Sequence, residues 1–153
     1  MGPIETWLSA DHSRMDRLLA AACANDTIDH ASFEEFRRGL LRHIGMEEKI
    51  LLPFARERRD GVALEGARAL RMDHGLLAKL LVPTPTVALC HRLRQELDRH
   101  NRIEEGDDGL YAMCDALAGD DAEAVVAMLQ KAPEVPPAKH YDGPLIQDTL
   151  AKK

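Results

Sequence analysis

Two six-residue stretches of the chain share one pattern: HIGMEE at residues 43–48 and HNRIEE at residues 100–105. Each places a Glu four positions after a His. In a helix, residues four positions apart lie one turn apart on the same face, so the imidazole and that carboxylate point the same way. Both groups are common metal ligands. The pattern therefore predicts two helices, each with a candidate ligand pair.

A lone His precedes each of these stretches in a related context. Asp11-His12 leads to Leu18-Leu19, and Asp73-His74 leads to Leu80-Leu81, with the same spacing in both copies. The chain thus repeats one unit: a helix with a lone His, then a helix with a His/Glu pair. Used twice, such a helical hairpin would build a pseudo-symmetric bundle with a binuclear metal site.

Apolar residues spaced three and four apart predict four long helices. Ala and Leu supply 42 residues, whereas Val, Ile and Thr supply 17, which also favours helices over strands. Pro53 should kink or end the second helix near Leu52. The fourth helix is expected to carry Tyr111 on its core-facing stripe, although Gly106 and Gly109 weaken the helix after Glu105. The predicted segments are about 3–24, 29–59 with Asp29 as N-cap, 62–82 and 86 onward, with a short fifth helix at about 120–131.

Long helices joined by short loops favour antiparallel neighbours. We therefore expect an all-α fold, an up-down-up-down four-helix bundle. The predicted domain spans residues 1–131. Residues 132–153 are expected to form a Pro-containing, flexible tail.

Charge and cysteine content limit the class of protein. The net charge is −6, from 20 basic and 26 acidic residues, which disfavours nucleic acid as a partner. No apolar run approaches 18 residues, so we expect no membrane span. Three Cys without a CxxC pair, and no signal peptide at the start, favour a reduced cytoplasmic protein.

The seven His divide into two sets by helical position. His30, His91 and His140 lie off the core-facing stripes, and we expect them in solvent. The other four lie on those stripes. Burying them with two Glu would cost several kcal/mol unless every group found a partner. A hydrogen-bonded network without metal is one solution, and a metal centre is the favoured one. The candidate ligands are His12, His43, Glu47, His74, His100 and Glu104.

This constellation resembles the hemerythrin-like, HHE cation-binding family over about residues 5–118. The resemblance implies a four-helix bundle with a non-haem di-iron centre, four imidazole ligands, and Glu47 and Glu104 as bridging carboxylates. It therefore implies two iron ions, although the ligand types also allow Zn or Mn. Oxygen-carrying hemerythrins have a further His where this chain has Ala78, and their last motif ends in Asp where this chain has Glu104.

If both Glu bridge, each ion keeps about two open positions, which favours a reactive or sensing site. We expect binding of, or reaction with, dioxygen, peroxide or nitric oxide in sensing, storage or detoxification. Two alternatives stay open. One is repair of iron–sulfur centres, since di-iron repair proteins have a similar ligand set but carry a further Cys-containing domain. The other is a regulatory interaction bundle with a structural metal. No nucleophile, phosphate loop or acid/base pair indicates a dedicated enzyme.

Four further residues lie close to the predicted site. Tyr111 is expected to fill the core, with gating of the site as the alternative. Glu48 and Glu105 lie about 100° off the ligand face and are expected in solvent, unless a helix bulge near Pro53 or Gly106 makes them ligands. Cys114 is expected to be a small buried hydrophobe.

Overall fold

The computed structural model describes residues 1–144, and these residues form helices and connecting segments without a β-strand. The predicted all-α class is therefore confirmed for this part of the chain. A π-helical turn, Glu47–Leu51, joins α2 to α3, and a 3₁₀ turn, Gly119–Asp121, joins α6 to α7. The helices are α1 Pro3–Ala22, α2 His30–Met46, α3 Leu52–Arg58, α4 Ala67–Leu80, α5 Val87–Glu104, α6 Leu110–Ala118 and α7 Ala122–Gln130.

The second predicted helix is interrupted, as Pro53 indicated, but the change begins six residues earlier. The N–H of Leu52 donates to the carbonyl of Glu47, five positions before it, which is the π-helical pattern. Pro53 has no N–H to offer the carbonyl of Lys49, so a regular α-helical bond is missing at this point. The helix then resumes as α3. The wide turn therefore starts at a candidate ligand.

The fourth predicted helix ends at Glu104, and the prediction that Tyr111 belongs to it was wrong. Gly106 has φ of 95°, a left-handed conformation that suits glycine. A Cβ on Gly109 would lie 2.5 Å from the carbonyl oxygen of Glu104, so the turn closes tightly on the end of α5. Tyr111 consequently lies on the separate helix α6. The predicted fifth helix corresponds to α7.

Two apolar clusters are separated by a polar layer. One cluster contains Leu8, Leu70 and Tyr111, and the other contains Met15, Phe36 and Leu97. Along α1, Leu8 and Met15 belong to different clusters, and the buried His12 lies between them. The same alternation occurs in α2 and α4, whereas α5 contributes to the second cluster alone, before His100. The fold therefore holds its buried His residues at one level of the bundle.

Residues 132–143 have no regular secondary structure and contact the surface of the bundle. Arg42 donates to the carbonyl of Ala132, Arg37 donates to that of Ala138, and the N–H of Tyr141 donates to the carbonyl of Val82. The flexibility of the tail stays a prediction, and its part at 145–153 lies outside the described residues. Among the described helices, none has the length and apolar character needed to cross a membrane.

Candidate metal centre

The six candidate ligands meet in the polar layer and are almost completely buried. Glu47 and Glu104 are fully buried, while His12, at 6% exposure, is the most accessible of the six. Their donor atoms form two groups, and within each group all of these atoms lie within 4.8 Å of one another. The first contains His12, His43 and Glu104, and the second contains Glu47, His74, His100 and Glu104.

In the first group, the inner nitrogens of two imidazoles face each other. His12 Nε2 lies 3.1 Å from His43 Nε2 and 3.1 Å from Glu104 Oε1. Glu47 Oε2 lies 3.6 Å from His43 Nε2. Glu47 is outside the three-residue group; with its oxygen counted, two nitrogen donors and two carboxylate oxygens surround this position.

The second group has the same composition. His74 Nε2 lies 3.0 Å from Glu47 Oε1, and His100 Nε2 lies 3.3 Å from Glu104 Oε2. Each carboxylate thus directs one oxygen to each group: Glu47 through Oε2 and Oε1, and Glu104 through Oε1 and Oε2. This is the arrangement that two bridging carboxylates require.

The outer nitrogen of every one of these imidazoles contacts a carboxylate. His12 and His74 donate from Nδ1 to the second Glu of a Glu-Glu pair, and His43 and His100 donate from Nδ1 to the Asp of an Asp-His pair. Metal-binding His residues usually have such a partner, which fixes the ring and its tautomer. The contacts are His12–Glu105 at 3.1 Å, His43–Asp11 at 2.8 Å, His74–Glu48 at 2.6 Å and His100–Asp73 at 3.3 Å.

Glu48 and Glu105 therefore serve as partners of the candidate ligand imidazoles, a role that the sequence reasoning missed. They are 34% and 37% exposed, so the expected solvent contact is partly correct. Neither belongs to the two donor groups. Both follow a place where regular helix geometry ends: Glu48 lies in the π-helical turn, and Glu105 has extended backbone after α5. The repeated Glu-Glu and Asp-His dipeptides were the available signal.

Electrostatics show that this interior attracts positive charge. Burial by itself would lower the pKa of His43, but the charge of Glu47 and the hydrogen bond to Asp11 outweigh it and raise that pKa to about 10. The same holds for His100: burial would lower its pKa, but Glu104 and Glu47 raise that pKa to about 9. The pKa of His74 is raised too. Burial would raise the pKa of Glu47, but His43 holds it well below its ordinary value.

The arrangement of the donors fits metal ions. Glu47 Oε1, His74 Nε2 and Glu104 Oε2 are buried without a hydrogen-bond partner in the described chain, although the first two atoms lie 3.0 Å apart. Such orphaned atoms are costly unless a cation satisfies them. Adjacent ligands held about 2.1 Å from an ion lie about 3.0 Å apart, which matches these separations.

The tautomers of the imidazoles also favour a cation at this place. When His12 and His43 donate from Nδ1 to carboxylates, their neutral rings present lone pairs at Nε2, and these atoms lie 3.1 Å apart. Two lone pairs at that distance repel unless a proton or a cation lies between them. In the metal-free protein, protons take this place, in agreement with the raised pKa of His43.

Tyr111 fills the core as expected, and its hydroxyl also reaches into the first group. The side chain is fully buried, and burial together with Glu47 and Glu104 raises its pKa well above the ordinary value. Four nitrogen and oxygen atoms of the candidate ligands surround the hydroxyl oxygen. They are Glu47 Oε2 at 2.7 Å, His12 Nε2 at 3.0 Å, His43 Nε2 at 3.0 Å and Glu104 Oε1 at 3.2 Å.

A surface cleft of about 400 Å³ between α1 and α5 reaches this site. Its walls include His12, Glu105 and Asn101, together with the cationic Arg94 and Arg102. The contact between His12 and Glu105 therefore forms part of the lining of the cleft. A small ligand approaching from this side meets the first donor group.

The remaining His and Cys residues are not brought into the site. His30, His91 and His140 are exposed, as predicted. Cys114 is buried, and burial and then the charge of Glu47 raise its pKa to about 12.

Comparisons with known proteins agree with the geometry. No match to the chain was found among curated proteins or among solved structures. The family model of the hemerythrin HHE cation binding domain matches residues 4–106, which include all six candidate ligands and end before Tyr111. By this match, the chain belongs to the hemerythrin HHE cation-binding domain family.

Proposed function

We propose that this chain is a non-haem di-iron protein of hemerythrin-like type. In this role it binds or reacts with dioxygen, peroxide or nitric oxide, and serves in sensing, storage or detoxification. The observation that carries the proposal is the pair of buried donor groups, each with two imidazoles and one oxygen from each of Glu47 and Glu104. When bound, two iron ions would supply redox-active sites with exchangeable positions.

The chain's own residues prepare that chemistry. Four carboxylates orient the imidazoles, and Glu47 and Glu104 bring negative charge that offsets part of the charge of a pair of cations. The apolar clusters on either side exclude bulk water from the donor atoms. The cleft that ends at His12 gives a small molecule a route to the site.

The up-down-up-down order of α1, α2, α4 and α5 is part of the proposal. Its support is the order in which α1 and α2 pass the two apolar clusters. Along α1, Leu8 precedes Met15, so this helix runs from the cluster that contains Tyr111 to the other cluster. Along α2, Phe36 precedes Met46, in the opposite sense. A cytoplasmic location is also proposed, and three free Cys support it.

Metal analysis tests the function directly. Protein made in iron-replete medium is expected to contain about two iron ions per chain, and less than half an equivalent of any metal would refute the proposal. Replacing Glu47 or Glu104 with Ala should lower the iron content, because each change removes one oxygen from both groups and leaves imidazoles unbalanced. Glu57→Ala, at an exposed position of α3, is the control. Two iron ions in both ligand variants would contradict bridging.

Ligand access separates a reactive centre from a structural metal. With exchangeable positions, azide should change the visible spectrum of the oxidised protein, and nitric oxide should change that of the reduced protein. Spectra that respond to neither, with two iron ions bound, would favour the regulatory bundle with a structural metal.

A further inference from the structure

The hydroxyl of Tyr111 lies among electron-pair donors that one proton cannot satisfy. Glu47 Oε2 and Glu104 Oε1 offer only lone pairs when ionised, and His12 and His43 offer lone pairs at Nε2 when their Nδ1 atoms donate outward. The phenol has a single O–H, which serves one acceptor at a time. Unless further protons are bound to the imidazoles, as in the metal-free protein, the other contacts, at 3.0–3.2 Å, set lone pair against lone pair.

A cation inside this group removes the conflict. The phenol oxygen lies 3.0 Å from His12 Nε2, 3.0 Å from His43 Nε2 and 3.2 Å from Glu104 Oε1. These are the separations expected between adjacent ligands of one ion, about 3.0 Å for ligand bonds of about 2.1 Å. The oxygen therefore occupies the place of a fifth donor beside the two imidazoles and two carboxylates.

We propose that Tyr111 is a metal ligand, a phenolate oxygen at the position formed by His12, His43 and Glu104. The inference rests on the proposed function, because it concerns the same centre. On coordination, the O–H bond of Tyr111 breaks, its proton passes to solvent, and an oxygen lone pair forms the bond to the ion. The second position, with His74 and His100, has no phenol contact and keeps more places for an external ligand.

The local structure holds Tyr111 there independently of any family pattern. The matched family residues end at 106, so this residue comes from the part of the chain beyond the match. Gly109 allows the tight return from α5, and α6 then packs on α1, α3 and α5. The ring is fully buried and lies 5.5 Å from the ring of His12, centroid to centroid.

The chain contains two tyrosines, and that makes the test clean. Tyr141 is 57% exposed and remote in sequence from the donor groups, so Tyr141→Phe leaves Tyr111 as the sole tyrosine. Iron(III)-loaded Tyr141→Phe protein should show a visible phenolate-to-iron charge-transfer band. Resonance Raman excitation in that band should enhance tyrosinate ring modes, and ring-deuterated tyrosine should shift them.

Two bound iron ions without these tyrosinate modes in Tyr141→Phe protein would overturn the inference and leave the proposed function intact. That outcome assigns Tyr111 to hydrogen bonding with Glu47. Protein that binds less than half an equivalent of metal would instead refute the proposed function. Tyr111→Phe should lose the charge-transfer band. Iron per chain is measured in the same samples. Retention of the band in this variant would also overturn the inference.

Discussion

At the scale of single residues, the candidate centre depends on which nitrogen of each imidazole faces inward. The four outer carboxylates decide this by accepting the Nδ1 proton of each His. Asp11 shows the effect on a carboxyl group: burial would raise its pKa, but His43 and then Arg14 lower it, so it stays ionised. Asp73 beside Arg99 and His100 also has a lowered pKa.

Replacing Asp11 with Asn tests this role without changing the six donors. The amide keeps the size of the side chain but removes the negative charge that holds the His43 ring, so metal affinity should fall about 10- to 100-fold. Competition with a chelator measures that affinity. Asp16→Asn, an equal charge change at an exposed position of α1, should leave it unchanged. Equal affinities for both variants would show that Asp11 has no influence on the centre.

The sequence predicted which His and Glu side chains meet in the interior, because helical spacing alone aligns His43 with Glu47 and His100 with Glu104. It did not predict that Glu48 and Glu105 contact the imidazoles, because their positions depend on where regular helix geometry ends. A step of one residue in a continuous helix turns Glu48 and Glu105 away from the site. The π-helical turn and the end of α5 bring both back toward an imidazole. Tyr111 was misplaced for the same reason.

At the scale of elements, the turn between α5 and α6 is the most constrained connection near the centre. A Cβ on Gly109 would meet the carbonyl oxygens of Glu104 and Glu105 at 2.5 and 2.6 Å, and these are backbone atoms that cannot rotate away. The same turn carries a hydrogen bond from the N–H of Gly106 to the buried Glu5 on α1. One short loop thus sets the positions of a ligand, a partner carboxylate and Tyr111.

Gly109→Ala should therefore destabilise the protein by about 1–3 kcal/mol, the usual cost of forcing a methyl group into a packed site. Gly75→Ala is the matched control, because Gly75 is exposed within α4 and a Cβ there meets nothing within 4 Å. That change should stabilise the helix by about 0.5–1 kcal/mol. Urea unfolding measures both. Equal effects at the two positions would contradict the tight turn.

At the scale of the whole molecule, metal and protons compete for the same interior. In the metal-free protein the pKa of His43 is raised from 6.5 to about 10, and that of His100 from 6.5 to about 9. A raised pKa means that the folded state binds protons more tightly than the unfolded state. The resulting stability is fully present below pH 6.5 and is lost as the pH rises through 9 to 10.

We therefore expect metal-free protein to become less stable as the pH rises from 7 to 10, as followed by urea unfolding at each pH. The metal-loaded protein should lack this decline, because its imidazoles have already given up those protons. At low pH the loaded protein should release metal, since protons then compete for the same nitrogens. A metal-free protein whose stability is constant from pH 7 to 10 would contradict the buried charge network.

Each half of the chain supplies carboxylates to an imidazole of the other half, and this arrangement affects how the site forms during synthesis. Glu47 and Glu48 reach forward to His74, and Glu104 and Glu105 reach back to His12. During synthesis the first half leaves the ribosome without all the residues of either donor group, because both groups use Glu104. A metal ion that needs a complete donor group would therefore bind only after α5 has emerged and docked.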